Sequence, residues 1–457
     1  GKIALYSNGN GFLPQANRDS RPNKLQPVHT FTDPDKASLY FYGQGPTRIF
    51  FDTESDSFHH ELNPYTDTTY YFLTLAEDQR PTVQKYKPTL SEVAEVLHSF
   101  DEYWFYEKDE TNLLRSGRAW WGDFLGTRNT LRFELDFPGL LENQSALLKF
   151  EAIASAQVPT RFIWEVNHTT IGEKTAGIVS TQRYDLKAQI VQGKHQFTTP
   201  NGEKIELQLT YDKSGQSSAS AYLDYVSLNL KRILRPYNTP TFYRFRPESQ
   251  KLYVFENTAE DFILWNITDP LQPRIVEAID GKLQIPSDPT QAVTLIGFKE
   301  ESVLTPPSIR KIPNQNIRSQ PPPELIIITA DEWKDEALRL ASFRQNHDHL
   351  QVLTVTIEEV YNEFSSGKPD VTAIRDLCRY FYQKGKLRYL LLFGDATFDF
   401  RNKNQSDSFQ AFRARIPSYQ SRESLHPVYT YASDDYFGFL EEEAGEWIED
   451  ATGDHIM

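Results

Sequence analysis

Hydrophobic positions in the first part of the chain come in short bursts, not long faces. Between Gly1 and about Arg115, stretches such as SLYFYGQGPTRIFF and TTYYFLTL are broken by Gly, Pro, Asn and Asp clusters, the grammar of strands and turns. One segment departs from it. In TLSEVAEVLHSFDEYWFYEKD, Leu90, Val93, Val96 and Leu97 fall at helical spacing behind Thr89 or Ser91 as cap, which predicts a helix. From Ser116 to Leu234 apolar and polar residues alternate through TLRFELDFPGL, ALLKFEAIASA, RFIWEVNH, KIELQLTY and AYLDYVSLNLKRIL, which predicts an antiparallel β-sandwich of jelly-roll type. A third β segment from about Pro236 to Lys299 ends in LTPPSIRKIPNQNIRSQPPPE, whose six prolines mark a linker with a boundary near Pro321–Pro323.

Beyond that boundary the period changes. ELIIITA and LQVLTVTI are apolar runs of strand length, DEWKDEALRLASFRQNH reads as a helix, and a second helical stretch leads into RYLLLFGD. Buried strands alternating with helices predict an α/β unit on a mostly parallel sheet, whose ligands sit beyond the carboxyl ends of the strands. The expected organisation is a β-rich segment over 1–115 with one helix, a sandwich over 116–235, a small β segment and linker over 236–320, and an α/β segment over 321–457.

Composition narrows the partners. With 457 residues and a formal charge of -15, the chain holds several domains and has no excess of Lys and Arg to neutralise a phosphate backbone, so nucleic acid is not an expected partner. Its 24 Tyr and 30 Phe favour half-buried pleated surfaces. No apolar run reaches the ~20 residues of a spanning helix, so the chain reads as soluble. It opens in a strand already under way, and its one methionine is Met457, so both ends are expected to be cut points.

The single cysteine, Cys378, invites a nucleophile's role. Asp370 is placed to cap a helix on which Ile374, Leu377, Cys378 and Phe381 recur at i, i+3, i+4 and i+7. That stripe turns Cys378 into the core, where a thiol is inert. His347 and His349 lack a third ligand at metal spacing and fit a solvated helix end; the same reading applies to His59, His60 and His168. Gly394-Asp395 ends a strand, with Asp395 either a turn residue or a carboxylate shaping the loop at the sheet's working edge. Glu441–Glu443 read as a solvated turn. Asp434 and Asp435 stand among aromatic residues and need a partner: Arg or Lys, a bound cation such as calcium, or a basic substrate side chain.

VYNEFSSGKPDVTAIRDLCRYFY, followed by RYLLLFGDATFDFR and YTYASDDYFGFL, resembles the start of the catalytic domain in the gingipain family of cysteine peptidases. YFYGQGP and HHELNPYTDTTYYFLT further upstream resemble the large C-terminal signal peptidases or sortases of type IX secretion within that family. The resemblance implies a caspase-like α/β domain behind β-rich domains, with a Cys nucleophile and His partner on later strands. Both would lie beyond Met457, leaving this chain catalytically incomplete and Cys378 without the nucleophile's role. It implies that Asp434, or alternatively Asp435, lines the substrate pocket. No cofactor is required, and a structural calcium is compatible. The implied setting is the cell surface, peripherally attached to the outer membrane after passage through the periplasm. There a PorV-like outer-membrane barrel, secreted cargo with C-terminal signal domains, and anionic lipopolysaccharide would be partners. A reading of another class, a non-catalytic adhesion or carbohydrate-binding module, rests on the sandwich with Trp120, Trp121 and Trp164.

Overall fold

The computed structural model describes residues 3–22, 24–75, 80–89, 93–259, 261–404 and 415–445. Two sheets make the sandwich. A four-stranded sheet, in the order Thr130–Asp136, Lys204–Asp212, Thr160–Val166 and Thr169–Ala176, faces one half of a nine-stranded sheet. Strict alternation puts one face of each strand inside, as in Lys204–Asp212, where Ile205, Leu207, Leu209 and Tyr211 are all buried. Phe150, Phe162, Trp164 and Leu228 fill the layer between the sheets. Trp120, Trp121 and Trp164 are buried, so none of the three is an exposed platform for a sugar.

The nine-stranded sheet crosses the expected boundaries at 115 and 235. Its sandwich half runs Gln189–Thr198, Ser145–Ser155, Ser220–Ile233 and Ser99–Glu107; it continues through Thr241–Phe245 and Val293–Phe298 to Gln84–Tyr86. The helix expected after Thr89 is therefore not formed. Glu95–Leu97 and Ser99–Glu107 are strands, and Leu90 and Ser91 lie outside the described residues. Tertiary pairing explains the reversal. Ser99–Glu107 is rich in aromatic residues and pairs along its whole length with Glu107↔Tyr225 through Ser99↔Ile233, a ladder that four helically spaced apolar residues do not outweigh.

The α/β segment follows its pattern. Leu325–Thr329 lies between Val352–Thr356 and Tyr389–Phe393 in a parallel sheet and is buried at all five positions. Helices α1 (Lys334–Asp348), α2 (Ile357–Phe364) and α3 (Val371–Tyr382) pack around it. A Thr356–Glu359 capping box starts α2, and the Asp370 carboxylate accepts the Thr372 N–H at 2.8 Å to start α3. The proline-rich stretch has no long regular element, yet it is docked: Ile317 is buried, and its N–H donates to Glu363 at 2.6 Å.

Residues 8–21 are bound to α3 and the turn before it. Asp370 accepts the Leu13 N–H at 2.7 Å, Lys368 donates to the Gly9 carbonyl at 2.8 Å, and Asn8 N–H donates to Ser366 Oγ at 3.0 Å. Arg375, fully buried, donates to the carbonyls of Gln15 and, at 3.0 Å, Gly445. Arg21 pairs with Asp376 at 2.9 Å. The SSGK turn exists for this docking. Gly367 has φ +79°, and a Cβ there would stand 3.0 Å from Tyr70 Cβ. Gly367→Ala is expected to cost about 1–3 kcal/mol, more than Gly385→Ala, whose φ is +88° with open space around it. Denaturant midpoints of the two variants decide this; equal losses would remove the Tyr70 contact from the account.

Candidate functional site

The carboxyl edge of the parallel sheet is organised by one extended segment, 415–420. Asp395, two residues past Tyr389–Phe393, accepts the Ile416 N–H on its carbonyl at 2.9 Å and pairs through its carboxylate with Arg415. Four residues on, Tyr419–Gln420 pairs with Ala432–Ser433, and Ser418 Oγ donates to the Asp434 carboxylate at 2.8 Å. Asp395 and Asp434 are thus tied near opposite ends of the same segment and are not in contact with each other.

Asp434 and Asp435 are both exposed, and the residues that follow explain how they are held. The turn Asp435–Gly438 drives Tyr436 and Phe437 into the core. The Tyr436 hydroxyl meets Thr372 Oγ1 of α3 at 2.9 Å, its ring stacks on Tyr419 at 4.5 Å, and the Arg375 guanidinium lies 4.3 Å over that ring. A buried aromatic anchor therefore presents two exposed carboxylates. The group that holds Asp434 is the Ser418 hydroxyl, which is not one of the partners expected for it.

Cys378 is 1% exposed, and burial, with Asp376 nearby, pushes its thiol up to about 12. It is a packing residue, as its stripe predicts. His347 is exposed at the end of α1 and bonds to Asp348 at 2.7 Å, and His349 caps that helix in the left-handed region at φ 58°. His60 departs from expectation. Its side chain is buried on the strand Ser57–Glu61, stacked 3.9 Å from Phe105, because Ser99–Glu107 is a strand that brings aromatic residues over it.

A second constellation, invisible in the linear pattern, lies where the sandwich meets the α/β segment. Glu107, Asp109 and Asp224 can bring carboxylate oxygens within 4.8 Å of one another. Two adjoining cavities of about 640 and 660 Å³ share Glu107, Asp109, Leu62 and Arg401. Arg401 arrives from the loop after Asp395 and pairs with Asp109 and, at 2.8 Å, with Asp67. Trp120 stacks on Phe398 of the same loop at 5.6 Å. Burial pushes Glu107 up to about 8; burial and the Glu107, Glu151 and Asp109 carboxylates push Asp224 up to about 9. Burial also lowers His60 to about 4. His60 Nε2 meets the Glu107 carboxyl at 2.5 Å, and His60 Nδ1 meets the Tyr103 hydroxyl at 2.5 Å. The all-oxygen donor set suits a hard cation such as calcium, which would have to displace the protons on Glu107 and Asp224. The helix expected over 99–107 hid Glu107; the contiguous aromatic run Tyr103, Trp104, Phe105 and Tyr106 was the strand signal available.

Both carboxyls keep their protons in the folded chain at pH values where an unfolded chain has lost them. Their contribution to stability is complete below the ordinary carboxylate range and is lost as pH rises through about 8 and 9. The thermal midpoint should decline by on the order of several degrees between about pH 5 and pH 9, and Glu107→Gln with Asp224→Asn should flatten the decline. Melting curves across that range check it; an unchanged slope in the double variant would refute this assignment.

Residues 318–456 match Peptidase family C25. The chain has a TM-score of 0.86 and 23% identity to dimeric latent PorU from Porphyromonas gingivalis, over 97% of this chain and 43% of that one. It thus spans less than half of the PorU chain. The CBM36-1 domain of a xylanase from the hindgut metagenome of Trinervitermes trinervoides has 10% identity over 28% of this chain and 96% of its own, at a TM-score of 0.19 too slight to carry an argument. No curated protein matches the chain in sequence. The chain accordingly has the fold of PorU along nearly its whole length and, over 318–456, a match to Peptidase family C25, the gingipain family expected from its motifs.

Proposed function

We propose that the chain is the N-terminal part of a cell-surface cysteine peptidase that removes C-terminal signal domains from type IX secretion cargo. The same acyl-enzyme, passed to an amine in place of water, attaches the cargo to anionic lipopolysaccharide. The observation that carries this reading is the joint occurrence of the C25 match and the PorU fold across the preceding β domains. Among the described residues no helix is long and apolar enough to cross a membrane, which is compatible with peripheral attachment through a PorV-like barrel.

In this reading the nucleophilic Cys and its His belong to polypeptide following residue 457, the buried Cys378 takes no part, and Asp434 receives a basic substrate side chain. Ser418 orients Asp434 for that task, whereas Asp395 positions the 415–420 segment through Arg415.

The test uses the chain extended by its native downstream sequence, with a cargo protein bearing a C-terminal signal domain as substrate. The extended chain should cleave it, the 457-residue chain should not, and Cys378→Ser in the extended chain should cleave at the wild-type rate. Loss of cleavage in a folded Cys378→Ser variant would overturn the reading. Asp434→Asn is expected to lower kcat/KM for a basic residue at the cleavage site by about 10–100-fold, with Asp435→Asn within about threefold of wild type. Kinetics on paired basic and neutral peptides distinguish a pocket residue from a merely structural one.

A further inference from the structure

Strands Ser99–Glu107 and Thr241–Phe245 join the two halves of the nine-stranded sheet through one paired position, Asp101 opposite Arg244. Beside that pair a cavity of about 780 Å³ opens, with Glu102 and Tyr103 on one side and Phe242 and Arg244 on the other. Arg232, Arg235 and Tyr237 line it as well.

Arg244 is 6% exposed, and among the described residues no hydrogen bond or ion pair reaches its guanidinium; its neighbour is the Phe242 ring at 5.2 Å. The nearby carboxylates are engaged elsewhere. Asp101 takes Arg246 at 2.9 Å and Lys231 at 3.6 Å, and Glu102 is held by Arg232. Burial pushes Arg244 below the ordinary arginine range, yet guanidinium stays charged under any working condition. Glu102, which Arg232 already holds, acts on Arg244 from a distance, but a buried guanidinium with no direct hydrogen bond or ion pair is still costly, and the planar fork of arginine is suited to a bidentate oxyanion. Arg235, whose closest acid is Glu203 at 3.9 Å, lies half-exposed at the same cavity. In a chain of net charge -15, three arginines against the carboxylates of Glu102 and Asp136 make this an electropositive pocket. Tyr237 and Phe242 line it with rings that already carry the Arg232 guanidinium at 4.3 Å and the Arg244 guanidinium at 5.2 Å, and Asn238 and Asn257 offer amides.

We propose that this cavity binds a small organic oxyanion, a phosphate or carboxylate carried on a polar ring, with the anion between Arg244 and Arg235 and the ring against Tyr237 and Phe242. The site lies within residues 102–257 and stands independently of the proposed peptidase function.

Calorimetric titration of the 457-residue chain at low ionic strength, with inorganic phosphate, glucose 6-phosphate and glucuronate as probes and glucose as the neutral control, tests this. Glucose 6-phosphate or glucuronate should bind more tightly than inorganic phosphate, and glucose should give no heat. Preference between the two ring anions identifies the acidic group. Arg244→Met and Arg235→Gln should each weaken binding by about tenfold or more, and Arg244→Met should melt no lower than wild type because it removes a buried charge that has no direct hydrogen bond or ion pair. Absence of binding by all three anions up to about 10 mM, or undiminished binding in Arg235→Gln or in a folded Arg244→Met, would overturn the proposal. Equal affinity for inorganic phosphate and the ring anions would overturn the role given to Tyr237 and Phe242.

Discussion

The arrangement depends first on the burial of charge around the start of α3. Lys368, Asp370 and Arg375 are all within 5% of complete burial, and each hydrogen-bonds a backbone group of residues 9–15. Burial raises Asp370 to about 6 and lowers Lys368 to about 8, the direction expected when charged groups leave water. Such groups are tolerated inside a protein only when their hydrogen bonds are complete. The N-terminal segment and the α/β segment are consequently one folding problem. Removing residues 9–15 would leave three buried charges short of partners.

The working edge inherits this rigidity. Tyr436 stands on Thr372 and under Arg375, so the turn that presents Asp434 and Asp435 is referenced to the same helix that the N-terminal segment clamps. The loop after Asp395 is secured from the other side by Trp120 against Phe398 and by Arg401 in its acidic recess. Loops at strand ends are usually the mobile part of an α/β site. Here the β domains brace them, which gives those domains a mechanical role for the α/β segment.

Legibility varied with how local the deciding force was. The Asp370 cap, the burial of Cys378 and the three parallel strands all follow from short-range pattern, and the structure agrees with each. The helix expected after Thr89 failed because its competitor is a nine-residue ladder with strand Ser220–Ile233, more than a hundred positions away. The same error concealed Glu107. His60 looked like a surface residue because nothing near it in the chain announces Tyr103, Phe105 and Tyr225 as its walls.

By itself the sequence determined the alternation of strand, turn and helix, the inward stripe of α3, and a family resemblance carried by residues 360–440. These depend on periodicity and on contiguous motif residues, which a linear reading contains. Tertiary structure alone decided which carboxylates share a cavity, which arginine is buried with no hydrogen bond or ion pair among the described residues, and that one sheet draws strands from both sides of residues 115 and 235. Burial and charge pairing between distant segments depend on distances in space, and those are set only when strands from separate parts of the chain come into register.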